Sequence, residues 1–187
     1  CYEKSNAGLS QYGESLIREM NRVGMVLDLT HTGYKSTMEA MEISSAPVFF
    51  SHSNPYGVLA QTRNIKDEQI KGCAKSGGIV GIVGFGHFLK DYNITASGLF
   101  ENIDYVAQLV GAGHAGLGLD YVYYPDMFMR QVKDNPSSWP PEYLQNMQGF
   151  NYVPPEALPE TTELMLKAGY SDDDVKGVLG ENFLRVC

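Results

Sequence analysis

A short apolar run that ends in polar residues lies at residues 25–31, with the sequence MVLDLTH. It follows a helix-like pattern over 10–23, in which apolar residues recur at helical spacing and Gly24 provides the stop. A continuous apolar run with such a boundary is typical of a buried strand in a parallel sheet. The stretch therefore predicts a strand over 25–29, with Thr30 and His31 following its carboxyl end.

The alternation of helix and strand continues outward from this run. Further strands are predicted at 47–51, 79–83 and 115–120, and further helices at 34–43, 67–75, 97–110, 154–168 and 171–186. Four strands separated by helices predict a parallel α/β sheet with right-handed crossovers. Both a doubly wound sheet and half of a (β/α)8 barrel agree with this pattern. No linker or repeat divides the chain, so we expect residues 1–187 to form a single domain.

Length and charge narrow the classes of protein that remain. The 187 residues are enough for one sizeable core but fewer than the about 250 of a complete (β/α)8 barrel. Fourteen Lys and Arg against 22 Asp and Glu give a net charge of −8, which argues against non-specific nucleic-acid binding. No uninterrupted apolar run reaches the roughly 18 residues of a membrane span, so none is expected.

The cysteines say little about the cellular compartment. Cys1, Cys73 and Cys187 have no metal-ligand spacing and make a poor disulfide framework. Cys73 is expected to be a buried thiol, and a bridge between Cys1 and Cys187 stays open. A cytoplasmic location is slightly favoured over a secreted or periplasmic one, for which the sequon at Asn93 is weak evidence.

Polar residues close three of the predicted strands. His31, His52 and Asp120 each stand at an even spacing from the apolar residues of their own strand, which in a barrel would direct all three to the inner face. A lone strand-end histidine is more often structural, but two on adjacent strands lie roughly 5–8 Å apart and suit one metal or a metal pair. No third ligand stands in register. Asp28 has the opposite parity and is expected to be a buried structural carboxylate facing the helices.

Other candidate residues have a favoured structural interpretation. His114 precedes a strand and is expected at the opposite end of the sheet, either structural or exposed. His87 follows the third strand and could reach the site, but a structural role is favoured. From the residues alone, Arg63 is better explained as a solvated surface side chain than as a group that captures a substrate carboxylate. The pair Gly116 and Gly118 lies inside a strand, which indicates close backbone approach rather than phosphate binding.

Several segments together closely resemble the membrane (renal) dipeptidase family of zinc metallopeptidases. They are residues 19–31, 46–53, 63–64, 116–120 and 182–186, and they span essentially the whole chain. The 21-residue separation of the two strand-end histidines also matches the pattern of that family.

The resemblance implies a (β/α)8 barrel of which this chain is the C-terminal half, strands five to eight. It further implies a binuclear zinc centre in which His31 and His52 ligate the second zinc. Arg63 resembles the arginine that holds the terminal carboxylate of the substrate, and Asp120 the aspartate that handles a proton or the amino end. The other ligands of that family have no counterpart here and are expected upstream of Cys1.

The activity that the resemblance implies is zinc-dependent hydrolysis of dipeptides. The partners would be a dipeptide and the N-terminal half of the barrel, so the isolated chain is expected to be inactive. The segment 121–153 is predicted to be a long loop at the pocket, where Trp139, Tyr143 and Phe150 shape specificity, or a surface that packs on the rim or in a homodimer. A non-catalytic, partner-binding half-barrel and another metal-dependent amidohydrolase remain alternatives.

Overall fold

The computed structural model describes residues 1–2, 4–139 and 151–187. Its centre is a parallel four-stranded sheet in the order β1-β2-β3-β4, which confirms the predicted α/β class with a parallel sheet. The strands are β1 Leu27–Asp28, β2 Val48–Phe50, β3 Ile79–Ile82 and β4 Ala115–Leu117. Each strand is shorter than predicted.

Helices connect the strands and follow the last one. They are α1 Gln11–Arg22, α2 Tyr34–Ile43, α3 Asp67–Lys75, α4 Ala96–Val110, α5 Pro125–Asp134, α6 Leu158–Lys167, α7 Asp172–Lys176 and α8 Asn182–Val186. The Ser10 side chain caps α1 by accepting from the Gly13 N–H, and Gly24 ends this segment with a φ of 74°. The predicted helix 171–186 is interrupted by a π-helical turn at Gly177–Glu181. Helix α5 lies where only a loop was predicted.

One face of the sheet packs against α2, α3 and α4. Its core contains Leu29, Val48 and Phe50 from the sheet side and Ile70 and Ile103 from the helices, all nearly inaccessible to solvent. Full burial of such a side chain contributes about 1.5–3 kcal/mol relative to exposure. This layer fixes the strands and therefore the loops that follow them.

The C-terminal segment packs on the other face, near the amino ends of the strands. The Phe183 ring meets the Phe49 ring edge-on, with centroids 5.9 Å apart. Asn182 Nδ2 donates to the main-chain oxygens of Ala112 at 2.9 Å and Ala115 at 2.8 Å. These bonds hold α8 at the start of β4 and leave the carboxyl ends of the strands accessible.

The cysteines are not paired with one another in the structure. Cys73 is fully buried, as predicted. Cys1 and Cys187 are both described and are not joined by a disulfide. Within the described ranges, no helix is long and apolar enough to cross a bilayer.

Candidate active site

The two strand-end histidines meet at the carboxyl ends of β1 and β2. His31 Nε2 lies 3.0 Å from His52 Nε2, and the ring centroids are 5.0 Å apart at an interplanar angle of 62°. The predicted proximity of the two side chains is therefore present, and the pair presents imidazole nitrogen atoms to a common point.

The parity argument that led to this pair is wrong in its detail. Leu29 and Phe50, which share the parity of His31 and His52, are buried in the core beneath the helices, so this parity marks the helix-facing side of the sheet. The histidines converge because the chain leaves the strand geometry before it reaches them. His31 itself has a left-handed φ of 64°, which redirects its side chain.

Asp28 is not the buried, helix-facing carboxylate that was expected. It is exposed and accepts hydrogen bonds from the Thr30 N–H at 2.9 Å, the Ser51 N–H at 3.1 Å and the Ser51 hydroxyl at 2.6 Å. Partial loss of water around the carboxylate acts to raise the pKa of Asp28, but the hydrogen bonds from Ser51 and Thr30 outweigh this effect and hold the pKa below its usual value. The carboxylate thus joins the ends of β1 and β2 beside the histidines.

Ser51 connects this carboxylate to His52. Its Oγ lies 2.8 Å from His52 Nδ1 and 3.2 Å from Thr30 Oγ1. Sequence reasoning assigned no role to Ser51 or to its contact with Asp28. Two features of the sequence could have indicated this role. Ser51 is a hydroxyl residue directly before His52, and it lies two residues after Phe49, which pairs with Asp28 in the sheet.

Arg63 lies against both histidines and is not a solvated surface residue. Its side chain is only 2% exposed. Nη2 donates to the main-chain oxygen of His52 at 2.8 Å and lies 3.4 Å from His31 Nε2, and Nη1 donates to Ser53 Oγ at 3.1 Å. The guanidinium carbon also lies 5.3 Å from the centroid of the Phe88 ring. The loop before α3 therefore places the positive charge of Arg63 beside the histidine pair.

The surroundings keep both imidazoles neutral near pH 7. Burial and then the charge of Arg63 lower the pKa of His31 to about 4. Burial also lowers the pKa of His52, while the nearby charge of Asp120 opposes that shift. A metal ligand must be the neutral imidazole, so these environments suit coordination.

Asp120 lies beyond the end of β4 on the same side as His52. It is exposed, has a left-handed φ of 55°, and acts on His52 through its charge. Burial raises the pKa of Tyr152, and the charge of Asp120 adds to that shift. Asp120 is therefore near the histidine pair, whereas Arg63 is in direct contact with it.

The remaining histidines belong to other surroundings. His114 Nδ1 lies 2.7 Å from the main-chain oxygen of Gly78, which places it at the amino end of the sheet with a structural role, as predicted. His87 stacks on Phe85 with ring centroids 5.0 Å apart. Trp139 packs edge-on against Phe128, with centroids 5.3 Å apart. Tyr143 and Phe150, which were also predicted to shape specificity, lie outside the described residues.

A cavity of about 260 Å³ adjoins His31 and Arg63. Polar side chains from several elements line it, among them Asn6, Thr32, Tyr34, Gln61 and Gln69. A concave site with a few convergent polar groups is the usual form of a small-molecule site. The cation of Arg63 would make this one favourable for an anionic group.

The histidine pair fits part of a zinc site. Two nitrogen ligands of a tetrahedral zinc, each about 2.0–2.1 Å from the metal, lie about 3.4 Å apart, close to the 3.0 Å between the two Nε2 atoms. A hydrogen bond at the other ring nitrogen, such as the 2.8 Å contact between His52 Nδ1 and Ser51 Oγ, is a usual feature of metal-binding histidines. Across residues 1–2, 4–139 and 151–187, no group of three or more His, Cys, Asp and Glu side chains forms a metal site.

Two curated dipeptidases match nearly the whole chain. Dipeptidase aclJ of Aspergillus oryzae is 31% identical over 187 residues, 98% of this chain and 39% of that protein. Dipeptidase tcpJ of Claviceps purpurea is 30% identical over 182 residues, 96% of this chain and 38% of that protein. The chain thus spans about two-fifths of the length of these curated relatives.

Solved structures show the same fold. An amidohydrolase from Pseudomonas aeruginosa matches all of this chain and 58% of its own, with a TM-score of 0.85 and 35% identity. A metallo peptidase from Rhodobacter sphaeroides, liganded with a phosphinate mimic of the dipeptide L-Ala-D-Ala, has a TM-score of 0.69 at 23% identity over 96% of this chain and 46% of its own. The family model of membrane dipeptidases, peptidase family M19, matches residues 1–136. The chain therefore belongs to the membrane dipeptidase family.

Proposed function

We propose that this chain carries part of the active site of a zinc-dependent dipeptidase. The observation that supports this most strongly is the contact between His31 Nε2 and His52 Nε2 at 3.0 Å, with the Arg63 guanidinium against both residues. Two metal ligands and one cation suit the hydrolysis of a small substrate that ends in a carboxylate. The family and the two dipeptidase relatives favour a dipeptide as that substrate.

The same proposal assigns the fold to strands five to eight of a (β/α)8 barrel, folded as one domain over residues 1–187. The strand order follows the chain order across all four described strands, whereas a doubly wound sheet reverses its order at a switch point. The chain also spans only 39% and 38% of the two curated relatives. The other strands and the other ligands of a binuclear centre would then lie outside these 187 residues.

His31 and His52 would hold zinc through their Nε2 atoms. Bound zinc would supply polarisation of the scissile carbonyl and activation of a water nucleophile at neutral pH. The neutral state of both rings and the hydrogen bond between His52 and Ser51 prepare this pair for coordination.

Arg63 and Asp120 would act on the substrate itself. Arg63 is held by His52 and Ser53 and borders the cavity, so its charge would bind the terminal carboxylate of a dipeptide and orient the scissile bond. Asp120, an exposed carboxylate near His52, would accept or deliver a proton or bind the amino end of the substrate.

A second candidate is another metal-dependent amide hydrolysis on the same scaffold. The solved structure with 35% identity is described as an amidohydrolase, without a named dipeptide substrate. A panel of dipeptides and N-acylated amino acids distinguishes the two candidates. Turnover of the acylated compounds alone would exclude the dipeptidase assignment.

Zinc content and dipeptide hydrolysis test the proposal directly. The 187-residue chain should show no turnover alone, and joined to the preceding part of its gene product it should bind two zincs and hydrolyse dipeptides. In that longer protein, His52→Ala should abolish activity and reduce zinc content. Turnover by the 187-residue chain alone would contradict the proposal that the other metal ligands lie outside it. No turnover by the longer protein would favour a non-catalytic, partner-binding role.

A further inference from the structure

A hydrogen-bonded chain runs from Asp28 through Ser51 to His52. Asp28 Oδ2 lies 2.6 Å from Ser51 Oγ, and Ser51 Oγ lies 2.8 Å from His52 Nδ1. An ionised carboxylate can only accept, so Ser51 must donate its single proton to Asp28. Ser51 Oγ then has only lone pairs for His52, and His52 Nδ1 must carry the proton and donate it.

The neighbouring groups agree with this assignment. Asp28 Oδ1 accepts the main-chain N–H groups of Thr30 at 2.9 Å and Ser51 at 3.1 Å, so both carboxylate oxygens are used as acceptors. Thr30 Oγ1 accepts from the His52 N–H at 3.3 Å and lies 3.2 Å from Ser51 Oγ, and the Thr30 hydroxyl hydrogen-bonds to the Asp28 carboxylate. Every donor in this cluster meets an acceptor with one arrangement of protons.

We infer that Asp28 and Ser51 are positioning residues that hold the neutral ring of His52 in the tautomer with its proton on Nδ1. The Nε2 lone pair then faces His31 Nε2, 3.0 Å away, where a zinc ion would bind. The use of that lone pair rests on the proposed function, whereas the tautomer itself depends only on the hydrogen bonds described here. Neither Asp28 nor Ser51 would contact zinc or substrate.

Asp28→Asn tests the inference because it removes the carboxylate that fixes the direction of the Ser51 proton. The amide oxygen can keep the two main-chain N–H groups, and the amide NH2 then donates to Ser51 Oγ. Ser51 Oγ can still accept from His52 Nδ1–H through its second lone pair, but its own proton is no longer held by a carboxylate and can turn to His52 Nδ1, which lets the ring proton move to Nε2, the metal-facing nitrogen. A role limited to holding β1 and β2 together predicts lower stability but no change of tautomer.

The experiment is nitrogen NMR of the metal-free, histidine-labelled 187-residue chain at about pH 8, where a normal imidazole is neutral. The His52 resonances should report the Nδ1–H tautomer in the wild-type chain and a measurable population of the Nε2–H tautomer in Asp28→Asn. Asp91→Asn is the charge-matched control, since Asp91 has a left-handed φ of 53° that Asn tolerates, and it should leave His52 unchanged. Ser51→Thr keeps the hydroxyl and should keep the wild-type tautomer, whereas Ser51→Ala should lose the preference.

Zinc titration of the same samples provides the second readout. The apparent affinity followed by the His52 resonances should fall about 10–100-fold in Asp28→Asn and remain near wild type in Asp91→Asn and Ser51→Thr. An unchanged His52 tautomer in folded Asp28→Asn and folded Ser51→Ala would overturn the inference. A shift of the His52 tautomer in Asp28→Asn or Ser51→Ala, with no zinc response in the wild-type chain, would support the positioning role and count against the proposed zinc site.

Discussion

Arg63 Nη2 donates a 2.8 Å hydrogen bond to the main-chain oxygen of His52, so the candidate carboxylate-binding residue is held by the backbone of a candidate metal ligand. The bond from Arg63 Nη1 to Ser53 Oγ at 3.1 Å fixes the other arm of the guanidinium. With 2% exposure, the cation has little freedom to leave this position. Substrate orientation and ligand geometry are therefore coupled at one side chain.

Arg63→Ala should weaken the binding of dipeptides with a free carboxyl end. A charge-assisted hydrogen bond contributes about 1.5–3 kcal/mol, so kcat/KM in the catalytically complete protein should fall about 10–100-fold, mainly through a higher KM. C-terminally amidated dipeptides are the control and should lose much less. An equal loss for both substrate types, with zinc content and thermal unfolding unchanged, would contradict the carboxylate role.

Gly118→Ala should disturb the site through the main chain. A Cβ at this position would overlap the main-chain oxygen of Ser51 and approach the Cα of His52 to 3.2 Å. Such overpacking typically costs about 1–3 kcal/mol, and urea unfolding should show it. Gly113→Ala is the matched control, because a Cβ there meets no atom within 4 Å. Equal stability of the two variants would show that the close approach is unimportant.

The meeting of His31 and His52 could be predicted because the carboxyl ends of neighbouring parallel strands share one edge of a sheet. The side-chain directions could not. Alternation applies only while the chain is extended, and β1 contains just Leu27–Asp28 before His31 adopts a left-handed φ of 64°. The glycine interpretation succeeded, since Gly118 allows the close backbone approach that was expected of it.

The position of Arg63 and the hydrogen bond between Asp28 and Ser51 could not be predicted from the sequence pattern. Burial of Arg63 depends on the path of the loop before α3, and no periodicity describes a loop. The contact between Asp28 and Ser51 depends on the register that pairs Leu27 with Val48, which apolar runs of similar length do not determine. Helix α5 escaped prediction because its segment was dominated by Tyr, Pro, Asn and Met without a clear period.

Cys73 should resist thiol reagents in the folded chain. Burial raises its pKa to about 12, so at about pH 8 its thiolate fraction is roughly a thousandfold lower than that of an ordinary cysteine. Cys187 is exposed and serves as the internal control. Mass spectrometry after brief iodoacetamide treatment should find Cys187 modified and Cys73 intact, and both modified in urea. Rapid native labelling of Cys73 would show that the core around α3 opens readily.

Tyr170 should make the stability of the fold sensitive to alkaline pH. Burial raises the pKa of Tyr170, as does its hydrogen bond to Asp104, whose Oδ1 lies 2.8 Å from the hydroxyl. The fold therefore favours the neutral phenol, and this contribution is complete below the unfolded pKa of about 10 and is lost as the pH rises toward the higher folded pKa.

Tyr170→Phe removes the hydroxyl and keeps the ring that packs edge-on against Phe100. At pH 7 the variant should be less stable by about 0.5–1.5 kcal/mol, the net contribution of one hydrogen bond. Above about pH 10 the gap should narrow, because only the wild-type chain must keep a titrating phenol neutral in order to stay folded. Urea unfolding of both chains at neutral and alkaline pH measures this difference, and the other tyrosines, common to both, cancel. A constant gap would mean that the hydroxyl titrates alike in the folded and unfolded chains, and a gap that widens with pH would mean that folding lowers its pKa; either result would contradict the prediction.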